Sequence, residues 1–423
     1  MNLRSIIALA FSSLMSRKGS AILTILAVAV SVMLFLSVDK LRTAARTSFE
    51  NTISGTHLIV GARTSPESLV LFSVFHIGNP SANMTWESFE WLQGREDVDW
   101  AVPISLGDSH KGHRVVGTTT DFFARYKYRN ETPLTFSEGE AFADLFDVVI
   151  GARVAEEQGY KLGDGIILTH GLGDVSFSGH DNLPFRIVGI LEPTGTPVDQ
   201  SVFVSLEAIS AIHVGWESGA KSPIANMMTP DRVRGMDLET HSISAALVGL
   251  TDNKRLFLAK RSIDTYPQEA LLAAIPSQAI ASIWKLIGVA ERALLAVSGF
   301  VILVGLVSIL TAIMTSLRER RREMAVLRAT GAGPHHVMFL LISESALLAA
   351  LGSLFGIVLT AIGLYVLAPI LETRFGLALS DFGPGVFDLQ VFLAVTIIAA
   401  ILGIVPGWQA LRNSLADGLS IKL

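Results

Sequence analysis

The chain contains no cysteine. That excludes a disulfide framework, a thiolate zinc site and a cysteine nucleophile. Charge is scarce too: Asp, Glu, Lys and Arg make up 17% of the 423 residues, against roughly 25% in a soluble globular domain. The formal net charge is −5, so there is no basic footprint for nucleic acid and no nucleic-acid partner is expected. Catalytic motifs are missing as well. No G-x-x-x-x-G-K-[ST] occurs, so the chain holds no phosphate-binding loop for ATP. Neither a G-x-S-x-G elbow nor H-E-x-x-H is present; Gly107-Asp108-Ser109-His110 does not have the elbow's spacing. The chain is therefore expected not to be an enzyme and to bind no cofactor of its own.

What is abundant is apolar sequence. Half the residues are hydrophobic and the mean hydropathy is +0.49, which excludes a disordered chain. Four stretches lack any charge: Gly19 to Val38, Ala293 to Leu317, Ser345 to Leu371 and Leu389 to Leu411, of 20, 25, 27 and 23 residues. About 20 apolar residues in a helix cross a hydrocarbon core of roughly 30 Å, so each run is long enough for a membrane span. A cleaved signal peptide has an apolar core of only roughly 7–15 residues. The first run, with Arg17-Lys18 before it and Asp39-Lys40 after it, is longer and reads as an anchor.

Charge asymmetry gives an orientation. Arg4, Arg17 and Lys18 precede the first span without an acid, and the loop from Arg318 to His336 has five arginines against Glu319 and Glu323. The loop from Glu372 to Asp388 has Arg374 against three acids, and Asp39 to Arg292 holds 22 lysines and arginines against 31 acids. The expected order is a cytoplasmic amphipathic helix at 1–18 and a first span at 19–38. An extracytoplasmic domain on helical stalks follows at 39–292, then a second span at 293–317. A cytoplasmic loop at 318–336, a third span at 337–371, a short outer loop at 372–388, a fourth span at 389–411 and a cytoplasmic tail at 412–423 complete it. The N-terminal helix is read from Leu3, Ile6, Ile7, Ala10 and Leu14 at three- and four-residue spacing.

The outer segment mixes strand and helix patterns, so the fold class is an α-helical membrane protein with four transmembrane helices and a large α+β domain between spans one and two. Strands are expected at His57–Gly61, Arg114–Thr118, Asp147–Ile150, Gly165–Thr169, Phe185–Leu191, Ser201–Val204 and Ser242–Leu250, each rich in Val and Ile and bounded by Gly, Pro or Asp. Helices are expected at Met84–Gly94, Gly151–Gln158 and Leu206–His213. Thr251 to Glu291 is read as helical up to span two.

Two features suggest sites. His110-x-x-His113 beside Asp108 is the weak candidate for a metal, although two histidines in an acidic loop are more often solvated surface. Arg318-Glu319-Arg320-Arg321-Arg322-Glu323-Met324-Ala325-Val326-Leu327-Arg328 reads as a short helix ending at Thr330-Gly331-Ala332-Gly333. Five arginines would anchor the chain to the inner leaflet whatever else they did. An anchor does not need Met324, Val326, Leu327 and Ala332 exposed beside them, so the segment reads as a docking surface for another protein. In span three, Gly352-x-x-x-Gly356 permits close helix approach, within the chain or to another subunit.

The arginine loop is similar to the "ERxxEiaiLRalGa" segment of ABC-transporter permeases of the MacB, LolC/LolE and FtsX type. The outer domain resembles the same family at Ile150-Gly151-Ala152-Arg153-Val154-Ala155, Leu162-Gly163-Asp164, Val188-Gly189-Ile190-Leu191, and Thr194-Gly195 through Asp199 to Val202-Phe203-Val204. Pro406-Gly407-Trp408-Gln409-Ala410-Leu411 resembles the family's "PawrAar" ending. The resemblance implies a permease in the bacterial inner membrane without a fused ATPase, working as a dimer over two copies of a separate ABC ATPase that carries the ATP and magnesium. It also implies that Arg318–Ala332 couples to that ATPase, and that a periplasmic adaptor or chaperone is a possible partner. Efflux or lipoprotein release is the expected function. A signalling permease acting on a periplasmic partner and a metal-linked transport component, hinted at by His110 and His113, are the alternatives. The substrate is not written in the residues.

Overall fold

The computed structural model describes residues 17–170, 182–215, 222, 228–319, 333–375 and 383–416. The chain divides into two compact units, one of Met1–Ala44, Gly288–Leu371 and Leu379–Leu423, the other of Ala45–Ile287 and Glu372–Ala378.

The outer unit is built on one sheet. Its principal strands are β1 (Leu58–Ala62), β2 (Val98–His110), β3 (His113–Thr118), β4 (Phe136–Gly139), β5 (Asp147–Ile150), β6 (Phe185–Leu191), β7 (Ser201–Ser205), β8 (Ala245–Leu250) and β9 (Leu271–Ala274), in spatial order β9-β1-β8-β2-β3-β7-β5-β6-β4. Two short strands, Gly165–Ile166 and Thr169–His170, pair with β6 and β2. The pairs β3–β7 and β5–β6 are parallel. The long strand β2 joins two lobes: Val98 to Ile104 pairs with β8, and Ser105 to His110 pairs with β3.

Side-chain alternation explains why these strands are apolar on both faces. Ile59, Val102, Ile104, Leu247, Val116, Val149 and Phe203 enter one core that runs behind both lobes. Their neighbours Leu58, Val60, Ala246 and Val248 enter a second core under the first lobe. Val115, Val148, Ile150, Val202 and Val204 enter a third under the other lobe.

Several expected elements need correction. The expected strand Ser242–Leu250 is broken at Ser244, whose hydroxyl accepts from Leu106 N–H at 3.1 Å and whose N–H donates to the Ile104 carbonyl. Gly165–Thr169 is likewise split between two short strands. The region from Thr251 to Glu291 is not continuously helical, because β9 interrupts it by pairing with β1. The strands β2 and β4 and the helix Pro66–Ser73 were not anticipated.

Among the described residues, four helices are long and apolar enough to cross a membrane by length and composition. The helices used below are α1 (Lys18–Glu50), α2 (Ala152–Gln158), α3 (Pro276–Glu319), α4 (Pro334–Phe375), α5 (Val386–Leu402) and α6 (Ile404–Ala416). The fourth run corresponds to one candidate span, Val386–Ala410, with a one-residue irregularity at Gly403 between α5 and α6. Pro406 in the first turn of α6 has no N–H to extend the ladder back across that irregularity. In the membrane unit, Val28, Val32, Leu36, Leu306, Ile309, Leu348, Ala349 and Val395 form the shared core.

Candidate functional site

In the membrane unit, small residues set how closely α1 is approached. A Cβ built on Gly352 would lie 2.6 Å from Val28 Cβ and 3.1 Å from the Ile25 carbonyl oxygen, and one on Gly356 would lie 2.7 Å from the Ala29 carbonyl oxygen. Both glycines therefore pack α4 against α1 of the same chain. Gly305 of α3 meets Ser31 of α1 in the same way, at 2.9 Å. The Thr360 hydroxyl donates to the Gly356 carbonyl at 2.9 Å, so it is satisfied within its own helix.

At the other end of α1, Lys40 Nζ lies 3.0 Å from Asp388 Oδ2 and donates to the Gly383 carbonyl at 3.0 Å. The Asp388 side chain is 3% exposed and also accepts from Gly385 N–H at 2.6 Å, closing the first turn of α5. Phe35 stacks on Phe387 beside it, with centroids 6.1 Å apart. The sequence reading missed this pair. Its only signal was one charge just beyond the end of one span and an opposite charge just before the start of another.

In the outer unit, part of the expected motif set converges. Asp199 Oδ1 accepts from Thr194 N–H at 2.8 Å and from the Thr194 hydroxyl at 2.7 Å, and Oδ2 accepts from Gly195 N–H at 2.7 Å. Gly195 has φ +69°, a left-handed conformation that glycine takes without a Cβ penalty. Burial pushes the Asp199 carboxyl up, and the hydrogen bonds from Thr194 and Gly195 oppose that shift. Gly151 lies against the same loop, since a Cβ there would overlap the Val198 and Asp199 carbonyl oxygens. Arg153 Nε donates to Glu157 Oε1 at 2.6 Å across α2, and Glu157 Oε2 lies 3.5 Å from His113 Nε2.

The other motif residues stand apart from this group. Gly163 N–H donates to the Ile187 carbonyl at 2.8 Å, and the Asp164 carboxylate accepts from Lys161 N–H at 2.8 Å. Gly189 sits at the bulge where β6 meets β5, and a Cβ there would overlap the Glu140 carbonyl oxygen. These residues shape turns and backbone approaches within the domain.

His110 and His113 face each other across the β2–β3 hairpin but serve different partners. His110 Nδ1 lies 2.7 Å from the Ile167 carbonyl and Nε2 lies 2.8 Å from the Tyr160 hydroxyl, so one nitrogen donates and the other accepts. His113 Nδ1 donates to the Gln200 carbonyl at 3.2 Å. Burial lowers both pKa values. Among the described residues, no group of three His, Asp or Glu side chains is placed to hold a metal ion.

Of the arginine segment, Arg318 and Glu319 end α3. Arg320, Arg321, Arg322, Glu323, Met324, Leu327, Arg328, Gly331 and Ala332 lie outside the described residues.

Comparison with known proteins supplies the class. Residues 21–254 match the MacB-like periplasmic core domain and residues 295–415 the FtsX-like permease C-terminal domain. Over 325 residues the chain is 22% identical to the pyoverdine export ATP-binding/permease protein PvdT of Pseudomonas entomophila, a match covering 74% of this chain and 43% of that protein. Over 422 residues it is 21% identical to an uncharacterized ABC transporter permease of Methanocaldococcus jannaschii, covering 98% and 96%. The periplasmic region of MacB from Actinobacillus actinomycetemcomitans aligns with 9% identity and a TM-score of 0.33, over 55% of this chain and 94% of that one. The chain thus spans less than half the length of PvdT. It belongs to the MacB/FtsX-like family of ABC transporter permeases, with four candidate membrane helices and an α+β domain of periplasmic type between the first two.

Proposed function

We propose that the chain is the transmembrane subunit of an ABC export or extraction system, in which ATP hydrolysis on a separate ATPase drives movement of the outer domain. The observation that carries this reading is the length of two helices. α1 and α3 run for 33 and 44 residues, about 50 and 66 Å at 1.5 Å per residue, against a hydrocarbon core of roughly 30 Å. Each belongs to the membrane unit over part of its length and to the outer unit over the rest. A continuous helix transmits tilt and rotation, so displacement at one end of a span reaches the outer domain without a substrate having to cross the bilayer.

The rest follows from the family and the charge pattern. The chain itself hydrolyses nothing, and ATP with magnesium binds the partner. Two permeases stand over two ATPase subunits in the inner membrane, with the outer domain periplasmic. A periplasmic adaptor or chaperone receives the substrate. The names of the PvdT relatives favour export as the direction. Arg318–Ala332 docks on the ATPase, its arginines against the lipid headgroups and its apolar side chains in a groove of the partner.

Truncating an interface anchor commonly costs more than about 1 kcal/mol. A Met324→Ser/Leu327→Ser permease should therefore recover the ATPase about five-fold less well in a pulldown, with insertion and expression unchanged. Equal recovery and equal stimulated hydrolysis would reduce the segment to a membrane anchor. ATP hydrolysis that persists in the purified chain after every copurifying ATPase is removed would end the proposal.

A further inference from the structure

One cavity of the outer unit, about 380 Å³ in volume, is lined without a single acid. That volume lies within the range of small-molecule sites. Its walls are the end of α1 and the residues just after it, the segment carrying Phe75 and His76, the turn of the β2–β3 hairpin with Arg114, and the loop from Gly195 to Ser201. All belong to the outer unit.

Arg114 is 6% exposed, and among the described residues no carboxylate pairs with it. Its Nη2 donates to the Gly78 carbonyl and, at 2.8 Å, to Asn79 Oδ1. Nε is sealed from solvent and has no acceptor. Among the described residues Nη1 has no hydrogen-bond acceptor, and the residue lines the cavity. Long cationic side chains are almost never this buried unless paired, because a desolvated guanidinium without a counter-charge is costly. The cavity is where a counter-charge can enter.

Its other walls suit the remainder of such a ligand. Phe49 and Phe75 stack with centroids 4.6 Å apart and form an apolar side. His76 Nδ1 lies 2.8 Å from Ser201 Oγ. Burial, assisted by the Arg114 charge, holds this histidine down to about 4, so it is neutral at neutral pH and leaves a single positive charge at the site. One positive charge suits a monoanion, whereas phosphate would bring further negative charge that no cationic side chain among the cavity's lining residues offsets.

We propose that this cavity binds a carboxylate on a small apolar or aromatic frame, with the carboxylate accepting from Arg114 Nη1 and the frame against Phe49 and Phe75. The proposal stands apart from the coupling role of Arg318–Ala332 and survives its failure.

The test is calorimetry on the full chain in zwitterionic nanodiscs. Phenylacetate should bind saturably in the millimolar range or tighter, while uncharged phenylacetamide should not. A tripeptide ending in phenylalanine, compared as free acid and as amide, distinguishes a peptide chain end from a free acid as the source of the carboxylate. Loss of a charged hydrogen bond should make Arg114→Gln about ten-fold weaker or worse for phenylacetate, and Arg114→Lys, which keeps the charge, should retain more of the affinity. Arg114→Gln should melt no lower than wild type, since it removes an uncompensated buried charge; a purely structural arginine would lower the melting temperature. No binding of phenylacetate by the wild type, equal affinity in Arg114→Gln, or binding of inorganic phosphate in preference to phenylacetate would each overturn the assignment.

Discussion

The outer unit and the membrane unit bury different kinds of residue. Among the described residues, the outer unit fully buries the rings of Phe185 and Phe203 beside Leu58, Ile59 and Ile150, whereas the membrane unit fully buries Leu36, Ile309 and Leu341 but no aromatic ring. What the membrane unit buries at its closest contacts is small: Ala29, Ala349, Ser353 and Thr360, beside Gly352 and Gly356. Leu306, Ile309 and Leu348 fill the space between these contacts, while other large side chains, such as Phe300, Leu303, Val304 and Val366, are exposed. In water, apolar area drives burial. In lipid the surroundings are as apolar as leucine, so packing is decided by how closely backbones can approach. Hydrophobicity therefore separates core from surface in the outer unit but not in the membrane unit, where Leu, Ile and Val stand on both sides of the packing.

Truncation tests that difference most directly. Phe203→Ala should destabilise the outer unit by about 3–5 kcal/mol, as for a large buried aromatic. Val304→Ala, at an outward position 64% exposed, should change stability by no more than about 0.5 kcal/mol. Thermal unfolding of the full chain in nanodiscs, followed by tryptophan fluorescence, measures both. A large loss at Val304 would mean that this face is covered by protein rather than lipid.

The reverse substitution sharpens the comparison. Gly352→Leu forces a side chain into Val28 and the Ile25 carbonyl of α1 and should cost about 1–3 kcal/mol. Unchanged melting would show that α4 and α1 can separate without penalty. A smaller effect is expected from the charge pair. A double-mutant cycle of Lys40→Met and Asp388→Asn should give a coupling of about 1 kcal/mol, and additive single effects would show that the pair does not hold α1 to α5.

The same contrast governed what could be read from the residues. Asp147–Ile150 and Phe185–Leu191 were legible at their observed bounds, because β-branched runs between Gly, Pro and Asp have few other solutions. Val98–His110 was hidden by Pro103 and Gly107, which argue locally against a strand, yet the chain changes partner just beyond Pro103 and the sheet absorbs both. Leu271–Ala274 opens an apolar run leading to a span, and periodicity cannot separate a short buried strand from a helix there. The span count came from length alone and matches the four candidate spans, whereas the irregularity at Gly403 within the fourth is a local feature that length does not report. Of the candidate site residues, Gly151, Gly195 and Asp199 meet in space, but as the geometry of one loop. Arg114 passed as an ordinary strand residue because its neighbour Asn79 is far away in sequence.

Acid should act on the outer unit through its histidines. His76 titrates near 4 in the folded chain against 6.5 unfolded, chiefly through burial, with the Arg114 charge adding to it. His110 and His113 are lowered as well, again mainly by burial. A histidine whose folded pKa is depressed binds its proton more readily when unfolded, so stability rises with pH until both states are neutral. For His76 the window runs from about 4 to 6.5. Asp97 and Asp144, held low by Arg95 and Arg234, lose their contribution only as pH falls below the ordinary carboxylate range. Asp199, raised by burial, acts in the opposite sense and above the ordinary carboxylate range, favouring the fold as pH falls. Between pH 5 and 6.5 the histidines should therefore dominate, with a slope of at most about 1.4 kcal/mol per pH unit for each. Melting temperature should be flat above pH 7 and fall as pH drops toward 5, and His76→Asn should flatten part of that fall while leaving the neutral-pH plateau in place. A profile that does not change between pH 5 and 7, or a His76→Asn profile parallel to wild type, would mean that the histidine is solvated rather than enclosed beside Arg114.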